Sequence, residues 1–126
     1  EIPLEKAKNL MLNKFHKFLP LEALEDVFSR AKMLIREPKF IECIRDKEIY
    51  KEQPFKVKNE LKQMDLFCFN EREICVIDYK TTDRNIEENK KQVKEYKDAL
   101  AKFYEKHSII AVIFYALEGK ISYIEV

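Results

Sequence analysis

Glycine is nearly absent from this chain, with one in 126 residues, and no Gly/Ser-rich, Pro-rich or repetitive stretch occurs, so neither a flexible linker nor a repeat array is expected. No run approaches 18 apolar residues and no basic-then-apolar leader opens the chain, which argues against a membrane span and a secretory signal. Three cysteines without the spacing of a disulfide framework or a zinc site read as reduced thiols of a cytoplasmic protein. An excess of one charge sign is missing as well. The balance of 24 Lys+Arg against 23 Asp+Glu leaves +1, which neither marks a nucleic-acid partner nor excludes one. What is present is enough chain for one domain, burying roughly two-thirds of its unfolded surface without staples. An opening at Glu1 and a closing apolar run, Ile121 to Val126, fit a domain cut from a longer polypeptide.

Hydrophobic period supplies the organisation. Leu4, Ala7, Met11, Phe15 and Phe18 recur at helical spacing behind Pro3, and Leu24, Val27, Phe28, Ala31, Leu34 and Ile35 mark a second helix that Pro38 is expected to end. Residues 39 to 47 carry no clear period. Strands are expected at Glu48–Val57 (interrupted by Pro54), Leu61–Phe69 and Ile74–Thr81. A long helix capped by Asp83 or Asn85 follows, from Ile86 to about His107, then a buried strand Ile109–Ala116 and a last strand Lys120–Val126 beyond Gly119. The order α, α, β, β, β, α, β, β is that of a modest α/β sandwich. His107, near a helix end, is expected to serve the helix dipole and no chemistry.

Asn70-Glu71-Arg72-Glu73 is the polar break between the second and third strands, so an antiparallel hairpin centred between Glu71 and Arg72 is expected. Facing residues then have numbers summing to 143, which sets Asp65 opposite Asp78 with Cβ atoms roughly 4.5 to 5.5 Å apart. Like charges so placed destabilise a sheet unless a cation lies between them. A divalent metal fits, and the period of two puts Lys80 on the same face. The alternative is an ordinary cross-strand salt-bridge cluster on a solvated face. Phe67, Phe69, Ile74 and Val76 argue against it, because they make that face apolar, where charge is costly. Two carboxylates and a lysine suit metal-assisted phosphodiester hydrolysis: hard oxygens hold Mg²⁺, and the lysine positions water or steadies developing charge.

Asp65, a gap, Asp78-Tyr79-Lys80-Thr81 and then Gln92-Val93-Lys94-Glu95-Tyr96 on the next helix resemble the PD-(D/E)XK nuclease superfamily, within it the RecB/AddA type of helicase-nuclease carboxy-terminal domain. The resemblance runs from His16 to about Tyr96. It implies a restriction-endonuclease-like α/β core (αβββαβ) with a mixed sheet flanked by helices. Residues 1–38 would be an amino-terminal helical addition, and residues 48–126 the sheet and Gln/Tyr helix of a single nuclease domain. Asp65 and Asp78 would be catalytic metal ligands, joined by the Tyr79 carbonyl and by His16, which lies on Asn13-Lys14-Phe15-His16-Lys17-Phe18-Leu19 at the edge of that helix's apolar arc. Lys80 would be the catalytic lysine. Glu52, in Glu52-Gln53-Pro54-Phe55, would orient Lys80 or the metal water, and Gln92, Tyr96 and Thr81 would contact DNA.

The implied activity is a Mg²⁺-dependent (or Mn²⁺-supported) DNA nuclease, an exonuclease of recombination and repair, acting on single strands or duplex ends. Its partner would be a helicase in the same chain or in another subunit. Two departures stand out. Lys62 occupies a position, three before Asp65, that is glycine in these domains. Cluster-bearing relatives carry one cysteine upstream and three downstream of the Gln/Tyr helix, whereas Cys43, Cys68 and Cys75 all precede it, so no iron–sulfur cluster is expected. Two other readings remain: a catalytically inactive DNA-binding or scaffolding module of the same fold, and a protein-interaction domain with an incidental Asp/Lys cluster. The former offers no purpose for Asp65, Asp78 and Lys80.

Overall fold

A computed structural model describes residues 21–57 and 59–126. The amino-terminal helix expected over Pro3 to Leu19, and His16 with it, lies outside these residues. The described chain runs α1 (Leu21–Ile35), α2 (Pro38–Ile44), β1 (Glu48–Val57), β2 (Glu60–Phe69), β3 (Glu73–Lys80), α3 (Ile86–Phe103), β4 (Ser108–Leu117) and β5 (Lys120–Glu125).

Pro38 corrects one expectation. It terminates nothing, because α1 has already ended at Ile35, and instead it opens α2 at a position that needs no N–H. Glu37 caps that helix by accepting from the Lys39 N–H at 3.0 Å. Asn85 holds the cap position of α3, yet its side chain makes no capping bond; Glu87 and Glu88 in the first turn supply the negative charge that end favours.

The five strands form one mixed sheet in chain order, antiparallel except for β3 and β4, which run parallel because α3 crosses between them. Alternation on each strand splits the apolar residues between two layers. On one face Phe67, Ile74, Val76, Ala111, Ile113 and Tyr115 pack under Val93, Tyr96 and Leu100 of α3. On the other, Leu66, Cys68, Cys75, Ile77, Val112 and Phe114 pack under Leu34 of α1 and Phe40, Cys43 and Ile44 of α2. The continuous apolar run of β4 follows from this covering of both faces. Each buried aliphatic side chain is worth about 1.5 to 3 kcal/mol, so the layers fix β3 and β4 firmly.

The β2–β3 turn forms as its sequence predicts. Asn70 Oδ1 accepts from the Arg72 and Glu73 N–H groups at 2.8 and 2.7 Å, and the pairs Phe69↔Ile74 to Leu66↔Ile77 all sum to 143. His107 lies beyond the end of α3, where its Nε2 meets the Asn70 carbonyl at 3.0 Å and its ring stacks on Phe69. It braces the turn, and its backbone N–H donates to the carbonyl of Tyr104, the residue that closes α3, at 3.2 Å.

Candidate active site at the splayed end of β2 and β3

The ladder between β2 and β3 stops at Leu66↔Ile77, one pair before Asp65 and Asp78. The bond from the Asn70 N–H to the Glu73 carbonyl starts the alternation, which makes 65/78 a narrow position and 64/79 the next place for exchanged backbone bonds. That exchange is replaced. The Tyr79 N–H donates to Asp65 Oδ2 at 2.7 Å, so a carboxylate stands where a β2 carbonyl would have been the acceptor. The Tyr79 carbonyl leaves β3 on the same edge as its N–H and faces the same opening.

The cause of the opening is a reversal of side-chain alternation in β1 and β2. Leu66 packs on the α1/α2 face and Met64 on the α3 face, although two residues apart should share a face. Ile49 and Phe55 of β1 show the same switch. In the continuous β1–β2 register, Glu52 falls opposite Asp65, between the pairs Lys51↔Leu66 and Gln53↔Met64. Glu52 is exposed at φ +50°, a backbone region costly for a side chain with a Cβ. Beyond the reversal, Phe55 packs edge-on against Tyr96 at 5.9 Å, drawing the hairpin toward α3. The expectation that Asp65 simply continues the Phe67 and Phe69 face is therefore corrected: it sits at the switch, and its carboxylate reaches β3.

Asp78 follows Ile74 and Val76 on the α3 face and is the sole buried charged residue among those described, at 5% exposure. Burial, then the negative charge of Asp65, push its carboxyl up to about 6, against the pull of Lys80. The Lys80 ammonium is 3.1 Å from the buried Asp78 Oδ2 and forms an ion pair with it. Lys80 is itself 30% exposed, so the ammonium can meet a substrate from solvent.

Tyr96 is buried on α3, and its hydroxyl is pushed up by desolvation and by the charges of Asp78 and Asp65, with a hydrogen bond from Gln92 acting the other way. The Gln92/Tyr96 pair thus lies within the electrostatic reach of the carboxylates. Tyr79 turns its ring to the opposite face, against Phe40 at 6.5 Å. Thr81 is exposed, and its carbonyl accepts from Arg30 at 3.2 Å.

Two contributors carried no sequence signal. Arg30 of α1 ties the ends of β3 and β4 together, donating to the Thr81 carbonyl and to the Ala116 carbonyl at 2.7 Å while pairing with Asp26 at 3.0 Å. Asn89 donates to the Tyr115 hydroxyl at 3.2 Å, and Tyr115 is the β4 neighbour of Lys80.

Among the described residues no group of three or more His, Cys, Asp or Glu side chains is arranged to hold a metal ion. Two carboxylates, Asp65 and Asp78, do come together, with a backbone carbonyl facing the same opening. A hard divalent cation fits that donor set, since it would relieve the Asp65–Asp78 repulsion that raises the Asp78 carboxyl. No helix among the described residues is long and apolar enough to cross a membrane.

No family model matches the chain, and no curated protein matches it. Among solved structures it is similar to the crystal structure of SSO0001, with 12% identity and a TM-score of 0.35, covering 94% of this chain. The chain spans 60% of that structure's length.

Proposed function

We propose that the chain is a metal-dependent deoxyribonuclease of the PD-(D/E)XK kind, hydrolysing phosphodiester bonds at Asp65, Asp78 and Lys80. The observation that carries this reading is a buried carboxylate, Asp78, its pKa raised by burial and by a second carboxylate, Asp65, with the partly exposed Lys80 ammonium 3.1 Å from its Oδ2.

Asp65 and Asp78 would hold a divalent cation, with the Tyr79 carbonyl available to it; once bound, such an ion polarises the scissile phosphate and acidifies water. The protein's own residues do the rest. The Asp65 carboxylate is fixed by the Tyr79 N–H and cannot swing away. Asp78 is held by burial between β4 and α3, which keeps competing water off its inner oxygen. Lys80, two residues on and on the same face, places an ammonium beside the attacked phosphate, where negative charge grows in the transition state. Gln92 and Tyr96 line the α3 side, and Arg30 holds the end of β3 so that Lys80 keeps its place.

The test is hydrolysis of linear single- and double-stranded DNA in Mg²⁺ or Mn²⁺ by the wild type, Asp78→Ala and Lys80→Ala. Cleavage lost in both variants is the expected result. Metal-independent cleavage, or activity untouched by both substitutions, would rule the assignment out.

A further inference from the structure

All three cysteines of the chain gather on the sheet face away from the carboxylates, and all are buried free thiols. Cys68 and Cys75 are direct partners across β2 and β3. Cys43 reaches the same place from α2 and packs in the same buried cluster. Cys43 and Cys75 also line a common cleft of about 50 Å³ with Lys39, Glu42, Lys47 and Glu73. A water molecule occupies about 30 Å³ in the liquid, so the cleft has room for an oxidant little larger than water.

From this geometry we infer that Cys43 and Cys75 are a thiol oxidation site, converted by hydrogen peroxide to a reversible disulfide that staples α2 to β3. The roles are unequal. Lys39 and Lys47 line the cleft beside Cys43, and the neighbouring Cys75 thiol together with the Lys39 charge lowers the Cys43 thiol against burial. The Cys75 thiol, next to Cys43 and deeply buried, is pushed up and keeps its proton. Cys43 is therefore the attacking sulfur. Its thiolate displaces hydroxide from the peroxide O–O bond and becomes a sulfenic acid. The Cys75 sulfur then attacks the Cys43 sulfur, the S–O bond breaks, and the departing hydroxide leaves as water with the Cys75 proton. Two thiols lose two electrons, and one peroxide becomes two waters. Cys68 is fully buried and does not line the cleft, and burial pushes its thiol up to about 12, so it is a bystander.

The site is independent of the nuclease reading and tested without it. The full chain is treated with hydrogen peroxide, alkylated, and analysed by intact mass and non-reducing peptide mapping. The expected product has lost one pair of hydrogens, carries a Cys43–Cys75 linkage, leaves Cys68 free to alkylate after denaturation, and returns to the starting mass with dithiothreitol. Its melting temperature should rise by about 10 °C, as closing a loop of this length predicts. Cys68→Ala should form the same bridge at an unchanged rate, which guards against misfolding of a Cys43 or Cys75 variant. A Cys68–Cys75 linkage, oxygen addition without a bridge, or three thiols still free after prolonged treatment would each overturn the inference.

Discussion

Replacing Asp78 with asparagine removes a charge that the fold holds at a cost. Its carboxyl is raised from 3.8 to about 6, first by burial and next by Asp65. Between those values the folded state binds a proton that the unfolded state has released, so stability falls as pH rises through the interval and is flat on either side. The accumulated cost is about 3 kcal/mol above pH 7. Asparagine has the same shape, carries no charge and can donate its amide to Asp65. In metal-free buffer with chelator, Asp78→Asn should thus exceed the wild type in stability by about 2 to 3 kcal/mol at pH 8, or about 10 °C in melting temperature. The two proteins should converge near pH 4. The assay is urea denaturation of both at several pH values from 4 to 8, and the difference between the curves isolates this group from every other titration. A variant no more stable than the wild type at pH 8, or a difference that does not change with pH, would refute the reasoning.

The same repulsion makes Mg²⁺ a stabiliser: at ten times its dissociation constant it should add about 1.4 kcal/mol to the wild type, and nothing to Asp65→Asn or Asp78→Asn, by thermal shift. Lys80→Ala should lose cleavage while still showing that Mg²⁺ shift, because the ammonium contributes no ligand; a lost shift would assign Lys80 to cation binding. Arg30→Ala should cost about 2 kcal/mol in urea denaturation, since two carbonyls at the ends of β3 and β4 lose a charged donor. Asn70→Ala should cost about 1 kcal/mol, measured in the same way, through the two N–H groups its side chain holds.

Register was legible because Asn70 signals the turn and the loop is symmetric; once Glu71 and Arg72 are its centre, counting brings Asp65 toward Asp78 without reference to anything else. The sandwich order was legible for a similar reason, as β4 is apolar throughout and α3 shows an unbroken helical stripe. The α2 helix was not, since seven residues hold too little period and Pro38 reads as a stop when seen from α1. Nor was the reversal at Glu52 and Asp65. A glutamate at positive φ leaves no mark in composition, and alternation rules assume a regular pleat, so they placed Asp65 on a face when it lies at the break. Arg30 escaped notice because its partners are backbone carbonyls, which any sequence provides.

The central claim is that Asp65 and Asp78 share a divalent cation. A crystal of the full chain soaked in Mn²⁺, with anomalous diffraction collected, tests it most directly. The account predicts a peak between the two carboxylates, within bonding reach of Asp78 Oδ2 and the Tyr79 carbonyl. A Mn²⁺-saturated crystal with no peak there, and Lys80 still paired to Asp78, would contradict it.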